Sequence, residues 1–293
     1  MDRGLRRVVQ EAIVALRQAG IEEPEREGYR LLAVALNSTA EALWRNPPSA
    51  LAPEEVGRLQ ALITRRIQGE PFAYLAGYRE FYGLTLFTPP GVLIPRPETE
   101  HLVEAVLAAS RQREGLVVVD VGCGSGAIAL SLRQARPDWR ILATDVKCWP
   151  LMVTAINSYR LNLPVALMRA DLLTWPAGLA GAVSWADGPI DLICANLPYI
   201  GVEEAHRMSV ETRFEPPEAL FAADHGMAIL ESLIGQAPGR LSQEGGLFLE
   251  VGDRQAYAVA QSMRRQGFSR VETIRDFSGR ERVVYGWWRR RTR

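Results

Sequence analysis

The chain contains few of the residues on which disulfide scaffolds and metal sites depend. Its 293 residues include three cysteines and three histidines, and no two cysteines form a C-x-x-C pair. An odd number of unpaired cysteines argues against a disulfide framework and is typical of a reduced, cytoplasmic protein. We therefore expect a cytoplasmic protein without a metal ion. We assign no role to His101, His206 and His225, which we expect at the surface.

Long apolar runs and an excess of charge of either sign are also missing. No run reaches the about 18 apolar residues that would span a bilayer, and the N-terminus is charged where a signal peptide would be apolar. The 34 basic residues are balanced by 34 acidic ones, so there is no globally basic surface for nucleic acid. We expect no membrane association and no stable nucleic-acid binding.

The first 70 residues contain apolar residues at helical spacing. The pattern predicts helices over about 5–16, 24–36 and 53–67, with Gly20 ending the first and Gly69 the third. No strand pattern interrupts them. We therefore expect an N-terminal helical bundle domain over residues 1–72.

The periodicity changes after this segment. Apolar residues on either side of Gly83 alternate and predict a β-hairpin, and four prolines between 89 and 97 stiffen the chain that follows. We expect a β-hairpin linker over 73–97 and a larger domain over 98–293. That domain ends in a basic tip, residues 289–293, which we expect to be a solvated terminus.

A glycine-rich turn follows the first apolar strand of the larger domain. Residues 117–119 are β-branched and predict a buried strand. The sequence Gly-Cys-Gly-Ser-Gly at 122–126 comes next, and a helical pattern follows it. Glycines lack a Cβ where the backbone must turn sharply and approach a ligand, and a helix N-terminus directs free N–H groups at that ligand. The turn predicts a nucleotide-like ligand.

This turn does not by itself distinguish two classes of cofactor. Gly122, Gly124 and Ala127 also satisfy the dinucleotide pattern G-x-G-x-x-G/A, so an NAD enzyme stays open here. Asp145 ends the second predicted strand, 141–144, where its carboxylate can accept hydrogen bonds from two ribose hydroxyls. Both readings accommodate that carboxylate.

The tetrapeptide Asn196-Leu197-Pro198-Tyr199 separates the two readings. It follows a predicted strand at 191–195 and therefore lies at the carboxyl edge of the sheet, where open α/β sheets bind ligands. Hydride transfer has no use for it, whereas an amino-group methyltransferase does. Further strands are predicted at 165–168, 247–251, 271–275 and 282–288. The pattern indicates an α/β, Rossmann-like fold with a mostly parallel seven-stranded sheet, helices on both faces and an antiparallel last strand.

Several segments together make the chain resemble one methyltransferase family. Besides the glycine turn and the tetrapeptide, they are Tyr-Leu-Ala-Gly-Tyr-Arg-Glu-Phe at 74–81, Ile-Pro-Arg-Pro-Glu-Thr-Glu at 94–100, Phe-Glu-Pro-Pro-Glu-Ala-Leu-Phe at 214–221, Arg-Asp-Phe-Ser-Gly at 275–279 and Arg-Val-Val at 282–284. The chain resembles the HemK/PrmC family of release factor-specific protein-(glutamine-N5) methyltransferases, which belong to the class I S-adenosylmethionine-dependent superfamily. The family usually has Asn-Pro-Pro-Tyr. Leu197 departs from it and resembles the tetrapeptide of rRNA adenine dimethyltransferases.

The resemblance implies a class I methyltransferase domain and an N-terminal domain that helps to recognise the substrate. It implies methyl transfer from S-adenosylmethionine to the side-chain amide N5 of the glutamine in the Gly-Gly-Gln motif of class 1 peptide chain release factors. The alternative is N6-adenine methylation of RNA or DNA, since an exocyclic amine presents the same two hydrogens. The residues implied at the cofactor are Gly122, Cys123, Gly124, Ser125, Gly126, Asp145, Asp171, Leu172 and Asn196.

The same resemblance implies how the substrate is held. Asn196, Leu197, Pro198 and Tyr199 would bind the glutamine, and Asn196, Pro198 and Tyr199 would be the catalytic residues. We expect the Asn196 side-chain oxygen and the Pro198 carbonyl to accept the two N–H groups of the substrate amide, with Tyr199 covering its plane. Arg96 would border this pocket. The polar composition of 201–217 is typical of either a wall or lid at the site or a simple solvated loop.

Overall fold

A computed structural model of the protein describes residues 3–175 and 181–289. Its helices are α1 (Arg3–Gln18), α2 (Pro24–Ala35), α3 (Ala40–Arg45), α4 (Pro53–Ile67), α5 (Phe72–Ala76), α6 (Glu100–Ala109), α7 (Ala127–Ala135), α8 (Cys148–Leu161), α9 (Ala228–Arg240) and α10 (Ala256–Gln266). Its strands are β1 (Tyr78–Phe81), β2 (Leu84–Phe87), β3 (Val117–Val121), β4 (Arg140–Asp145), β5 (Ala166–Arg169), β6 (Ile190–Ala195), β7 (Ile200–Gly201), β8 (Phe221–Ala222), β9 (Leu241–Glu250), β10 (Phe268–Arg275) and β11 (Glu281–Trp288). Most of the expected basic C-terminal tip, from residue 290 on, lies outside the described residues.

The chain divides into two compact units, and the first extends to Tyr78. Its helices α1, α2 and α4 confirm the predicted helical region, and their apolar faces enclose a core that includes Leu16, Leu31 and Leu59. The sequence did not predict α3, which is only six residues long. A local interaction starts that helix, because the Thr39 hydroxyl oxygen accepts from the Ala42 N–H at 3.1 Å.

The first unit also contains Ser209–Phe214, a segment from the polar stretch after the tetrapeptide. Arg66 on α4 holds it there: its Nε donates to Glu27 Oε1 at 2.6 Å and its Nη2 to Glu211 Oε1 at 2.5 Å. Gly69 adds a close apolar approach, since a Cβ there would lie 2.3 Å from Val210 Cγ1. The polar stretch is therefore not simply a solvated loop.

The second unit contains the seven-stranded sheet, in the order β10-β11-β9-β6-β3-β4-β5. Strands β6, β3, β4 and β5 are parallel, and β11 runs antiparallel to both β9 and β10. This confirms the predicted mostly parallel sheet and its antiparallel last strand. Successive residues of β3 are fully buried in opposite layers, Val118 in one core and Val119 in the other. Burial on both faces explains the continuous apolar run of this strand.

The strand register brings several chain segments to one edge of the sheet. Val121 pairs with Thr144 on one side and with Ala195 on the other, so the turn after β3 lies between the ends of β4 and β6. Ala195 also pairs with Leu249, which places the end of β9 beside the tetrapeptide. The sequence order reverses between β3 and β6, and ligands of open α/β sheets bind at such a switch point.

One expectation about the histidines is wrong. His206 and His225 are exposed, but His101 is buried, with 8% of its surface accessible. It lies on the inward face of α6, beside the fully buried Leu102, and its ring contacts Phe277 at a centroid distance of 4.6 Å. The position on the helix decided its burial, whereas the residue type alone suggested the surface.

The cysteines form no disulfide: Cys123 and Cys194 are buried and Cys148 is exposed. In the described part of the chain, no helix combines the length and the apolar character that crossing a membrane requires.

Candidate active site

The glycine turn is held to the end of the neighbouring strand β4 by its backbone. The N–H groups of Gly122 and Cys123 both donate to the Thr144 carbonyl, at 2.8 and 2.9 Å. Gly122, Gly124 and Gly126 all have positive φ, of 76°, 57° and 84°. Glycine takes up this left-handed conformation without steric cost, so the turn requires glycine at these positions.

Two side chains of α8 support the turn from one side. The Thr154 hydroxyl donates to the Gly124 carbonyl at 3.1 Å, and Asn157 Nδ2 donates to the Ser125 carbonyl at 2.9 Å. A Cβ at Gly126 would lie 2.9 Å from Thr154 Cγ2, whereas a Cβ at Gly124 would meet nothing within 4 Å. The turn is therefore packed on the α8 side and open where Gly124 faces.

Asp145 presents a carboxylate beside this turn. Its Oδ2 accepts from the Gly124 N–H at 3.3 Å and its Oδ1 from the Lys147 N–H at 3.0 Å. Burial raises the pKa of Asp145, and the backbone donors oppose that rise. Each carboxylate oxygen can accept more than one hydrogen bond, so capacity remains for the hydroxyls of a ligand.

Asp171 and Leu172 lie at the end of the neighbouring strand. The Ala170 N–H donates to the Asp145 carbonyl at 3.0 Å, which brings the two strand ends together. Asp171 is exposed, and Leu172 is half-buried with a positive φ of 52°. The structure thus places the glycine turn, Asp145 and the pair 171–172 along one edge of the sheet. Their roles at a cofactor stay predictions.

The tetrapeptide begins with an oriented amide. Asn196 Nδ2 donates to Thr99 Oγ1 at 2.9 Å. Because the NH2 group faces Thr99, the side-chain oxygen is the atom of Asn196 that can accept from a ligand. Asn196 and Pro198 are half-buried, whereas Leu197 is buried.

Tyr199 is fixed at both its backbone and its hydroxyl. Gln255 Nε2 donates to the Tyr199 carbonyl at 2.8 Å, and the Tyr199 hydroxyl donates to Glu250 Oε1 at 3.3 Å. Burial, followed by the charge of Glu250, raises the pKa of Tyr199. The phenol therefore stays neutral and serves as a donor and an aromatic surface.

Glu250 is a carboxyl group without solvent exposure behind the tetrapeptide. Burial raises its pKa to about 7, opposed by the Thr99 hydroxyl, the charge of Arg282 and the Tyr199 hydroxyl. Arg282 is itself tied to Asp276, with Nε to Oδ2 at 3.2 Å. The carboxyl group thus changes its charge near neutral pH.

Arg96 and Glu215 join two of the segments that carried the family resemblance. Glu215, which is 3% exposed, accepts from the Ile94 N–H at 2.9 Å and forms an ion pair with Arg96. The charge of Arg96 opposes the rise in the pKa of Tyr199. Arg96 therefore lies near the tetrapeptide, as a residue bordering the pocket would.

Three residues that hold the tetrapeptide in place, Thr99, Glu250 and Gln255, were not predicted from the sequence, and neither was Arg282, whose charge faces Glu250. One signal was present, since Glu250 is an acidic residue at the end of an otherwise apolar strand. A charge in that place is costly unless it is partnered. Thr99 and Arg282 lie in segments that carried the family resemblance, 94–100 and 282–284, but no role was predicted for them, and nothing local marks Gln255.

Two family descriptions match the chain, that of the PrmC N-terminal domain over residues 7–77 and that of the methyltransferase small domain over residues 97–214. The release factor glutamine methyltransferase of Escherichia coli strain K12 is 37% identical over 279 residues, which cover 95% of this chain and 96% of that protein. The protein of the same name from Salmonella typhimurium strain LT2 is 38% identical over 276 residues, covering 94% and 96%. A solved structure, the T. thermophilus 16S rRNA N2 G1207 methyltransferase with AdoMet and guanosine, superposes with a TM-score of 0.52 at 17% identity, covering 72% of this chain and 50% of that one. That last likeness shows the fold alone.

Proposed function

We propose the function of this protein from the premise that it belongs to the release factor glutamine methyltransferase family, whose curated members match it along most of its length. It transfers a methyl group from S-adenosylmethionine to the side-chain amide nitrogen of a glutamine in a release factor. The specific acceptor is N5 of the glutamine in the Gly-Gly-Gln motif of class 1 factors.

The observation that carries this proposal is the orientation of Asn196. Its NH2 group is engaged by Thr99 at 2.9 Å, so Oδ1 is presented as an acceptor at the carboxyl edge of the sheet. The Pro198 carbonyl follows two residues later on a backbone that the proline ring stiffens. Two acceptors in this arrangement suit the two hydrogens of a primary amide.

The amide nitrogen needs such help because its lone pair is delocalised into the carbonyl. Asn196 and Pro198 fix the two N–H groups and favour the positive charge that develops on nitrogen during transfer. Tyr199 packs its ring against the planar amide and excludes water. Holding the acceptor in one orientation supplies several kcal/mol that a free encounter would lack. The histidines of this chain take no part as a base.

The residues around the glycine turn fit S-adenosylmethionine. The turn is open at Gly124, where an added Cβ would meet nothing within 4 Å. Asp145 offers a carboxylate for ribose hydroxyls, and Leu172 offers a half-buried apolar side chain for the adenine near Asp171. When bound, the cofactor supplies a methyl group on a positively charged sulfonium and leaves as S-adenosylhomocysteine.

The alternative, methylation of adenine N6, shares the tetrapeptide chemistry but has less support. The relatives that cover most of the chain are named for glutamine methylation. The balance of 34 basic and 34 acidic residues also offers no excess charge for a polyanion.

The test is transfer of a radiolabelled methyl group to a folded release factor, with adenine-containing RNA and DNA as parallel acceptors. We expect one methyl group on the Gly-Gly-Gln glutamine and none on a factor whose glutamine is replaced by glutamate. Asn196→Ala should lower kcat by about 100-fold or more, and Asn46→Ala, at an exposed asparagine, should leave it unchanged. Labelling of the nucleic acids in place of the factor would overturn the proposal.

A further inference from the structure

Glu250 has no direct role in the proposed methyl transfer. It ends β9 and is entirely buried, and its Oε2 has no hydrogen-bond partner among the described residues. An unpartnered buried carboxyl oxygen costs free energy, so a compensating role is expected of it.

Two hydroxyl groups converge on this carboxyl group, and each is linked to a residue of the tetrapeptide. The Tyr199 hydroxyl donates to Glu250 Oε1 directly, at 3.3 Å. The Thr99 hydroxyl faces the same carboxyl group and favours its ionised form, and the Thr99 oxygen accepts from Asn196 Nδ2 at 2.9 Å. Thr99 is 3% exposed, so bulk water does not compete for its single proton.

The direction of this chain of hydrogen bonds depends on the charge of Glu250. A carboxylate can only accept, so a hydrogen bond between it and Thr99 requires the hydroxyl to donate. The Thr99 oxygen is then left to accept, and the Asn196 amide must turn its NH2 inward and its Oδ1 outward. A protonated Glu250 can donate to Thr99, and the hydroxyl is then free to donate to Asn196 Oδ1. The amide would then present its NH2 group to the substrate, which offers two donors of its own.

We propose that Glu250 is a positioning residue: in its ionised form it sets, through Thr99, the orientation in which Asn196 presents its side-chain oxygen to the substrate amide. The inference rests on the proposed function for its consequence in catalysis, but the orientation itself is a property of this chain.

The groups that face Glu250 decide where it titrates. Arg282 from β11 and the hydroxyls of Thr99 and Tyr199 favour the ionised form, while burial and the charge of Glu98 oppose it. Asp276 partly neutralises Arg282. These opposing contributions place the pKa of Glu250 at about 7. Since only the ionised form orients Asn196 correctly, kcat should fall as the pH drops below this value.

The first test compares Glu250→Gln with the wild type in release-factor methylation. Glutamine has the same shape but can donate as well as accept, so it no longer specifies the direction of the Thr99 hydroxyl. We expect kcat to fall by about 10- to 100-fold, with the Kd for S-adenosylmethionine within about twofold. The acidic limb of the wild-type kcat profile should be absent. Glu244→Gln, at an exposed position of the same strand, is the control and should match the wild type.

Variants at Thr99 test the relay itself. Thr99→Ser keeps the hydroxyl and should retain activity. Thr99→Val removes the hydroxyl at similar side-chain volume, and its kcat should fall by as much as that of Glu250→Gln. The double variant Glu250→Gln with Thr99→Val should have a kcat no lower than that of either single variant, because both substitutions interrupt the same chain of hydrogen bonds. Additive losses, or a Glu250→Gln variant within twofold of the wild type that keeps its acidic limb, would overturn the proposal.

A readout without substrate separates this inference from the proposed function. The chain has five asparagines, so selective 15N labelling leaves few side-chain NH2 signals, and Asn196→Asp identifies the relevant one. We expect that signal to shift as the pH crosses about 7 in the wild type and not in Glu250→Gln. A pH-independent signal rejects the relay even if the protein methylates release factors. A wild type that methylates no release factor but shows the shift rejects the proposed substrate and keeps the relay.

Discussion

A Cβ atom added at Gly122 would lie 2.8 Å from Leu197 Cδ2. The glycine turn after β3 and the tetrapeptide after β6 therefore touch directly, beyond the carboxyl ends of these two neighbouring strands. Leu197 is 6% exposed and packs into the core on this side of the sheet. This contact and the surrounding core account for an apolar side chain at position 197.

Gly122→Ala should weaken the binding of S-adenosylmethionine and lower stability. The backbone at Gly122 has a φ of 76°, which an alanine adopts with strain, and its Cβ would clash with Leu197. We expect a loss of about 1 to 3 kcal/mol in the free energy of unfolding, measured by urea denaturation, together with a higher Kd by calorimetry.

Two further variants control this substitution. Gly235→Ala lies in α9, where a Cβ would meet nothing within 4 Å, and should stabilise the protein by about 0.5 to 1 kcal/mol. Gly122→Ala combined with Leu197→Ala should recover part of the lost cofactor affinity. If Gly122→Ala binds the cofactor as the wild type does, the turn is not part of the cofactor site.

Asp145→Asn should weaken cofactor binding without unfolding the protein. An amide keeps an acceptor oxygen but loses the negative charge and one acceptor, so it holds two ribose hydroxyls less well. We expect the Kd for S-adenosylmethionine to rise by about 10- to 100-fold. Glu114→Gln, an exposed glutamate that precedes β3 at the opposite edge of the sheet, should leave the Kd unchanged. An equal effect of both variants would mean that overall charge, and not this carboxylate, controls binding.

Asp120 should make stability depend on pH. It is fully buried; its Oδ2 accepts from the Ala129 N–H at 3.0 Å, while its Oδ1 has no hydrogen-bond partner among the described residues. Burial raises its pKa from 3.8 to about 7. Between these two values the folded state binds more protons than the unfolded state, so the free energy of unfolding falls as pH rises through this window. Asp120 lowers the free energy of unfolding over this window by at most about 4 kcal/mol.

Asp120→Asn should flatten that dependence. The measurement is urea denaturation at several pH values between 4 and 8, comparing the slopes of the two proteins rather than their absolute stabilities. The wild type should lose stability relative to the variant up to about pH 7 and then run parallel to it. Parallel curves over the whole range would show that Asp120 is ionised throughout.

Arg66→Met should destabilise the helical unit. It would leave Glu27, which is 8% exposed, with only the weaker pair to Arg30 at 3.5 Å. Leaving a buried charge without its main partner costs about 3 kcal/mol or more, and thermal unfolding should show it as a lower Tm.

The double variant Arg66→Met with Glu27→Met should recover most of this loss, because it removes the stranded charge. Arg58→Met, at an exposed position of the same helix, should leave Tm nearly unchanged. A double variant as unstable as Arg66→Met would show that packing, and not the ion pair, sets the loss.

Much of the architecture follows from local pattern. The helical spacing of residues 5–67, the glycine turn and the order of apolar strands predicted the helical region and the mostly parallel sheet. Such elements can be predicted because burial repeats with the period of each element, about 3.6 residues in a helix and about 2 in a strand. The sequence therefore shows apolar residues at that spacing. The parallel direction then placed Asp145 and Asn196 at one edge.

Tertiary structure alone decided which polar atoms meet. Thr99 lies 97 positions from Asn196, Glu215 lies 121 from Ile94, and Arg66 lies 145 from Glu211. Such contacts depend on which distant elements come within about 3 Å of each other, and no local periodicity encodes that. The burial of His101 was missed for a different reason, because the expectation followed the residue type and not its position on the inward face of α6. The sequence by itself thus determined the kind of fold and the edge that carries the site, and packing determined the partners that orient Asn196.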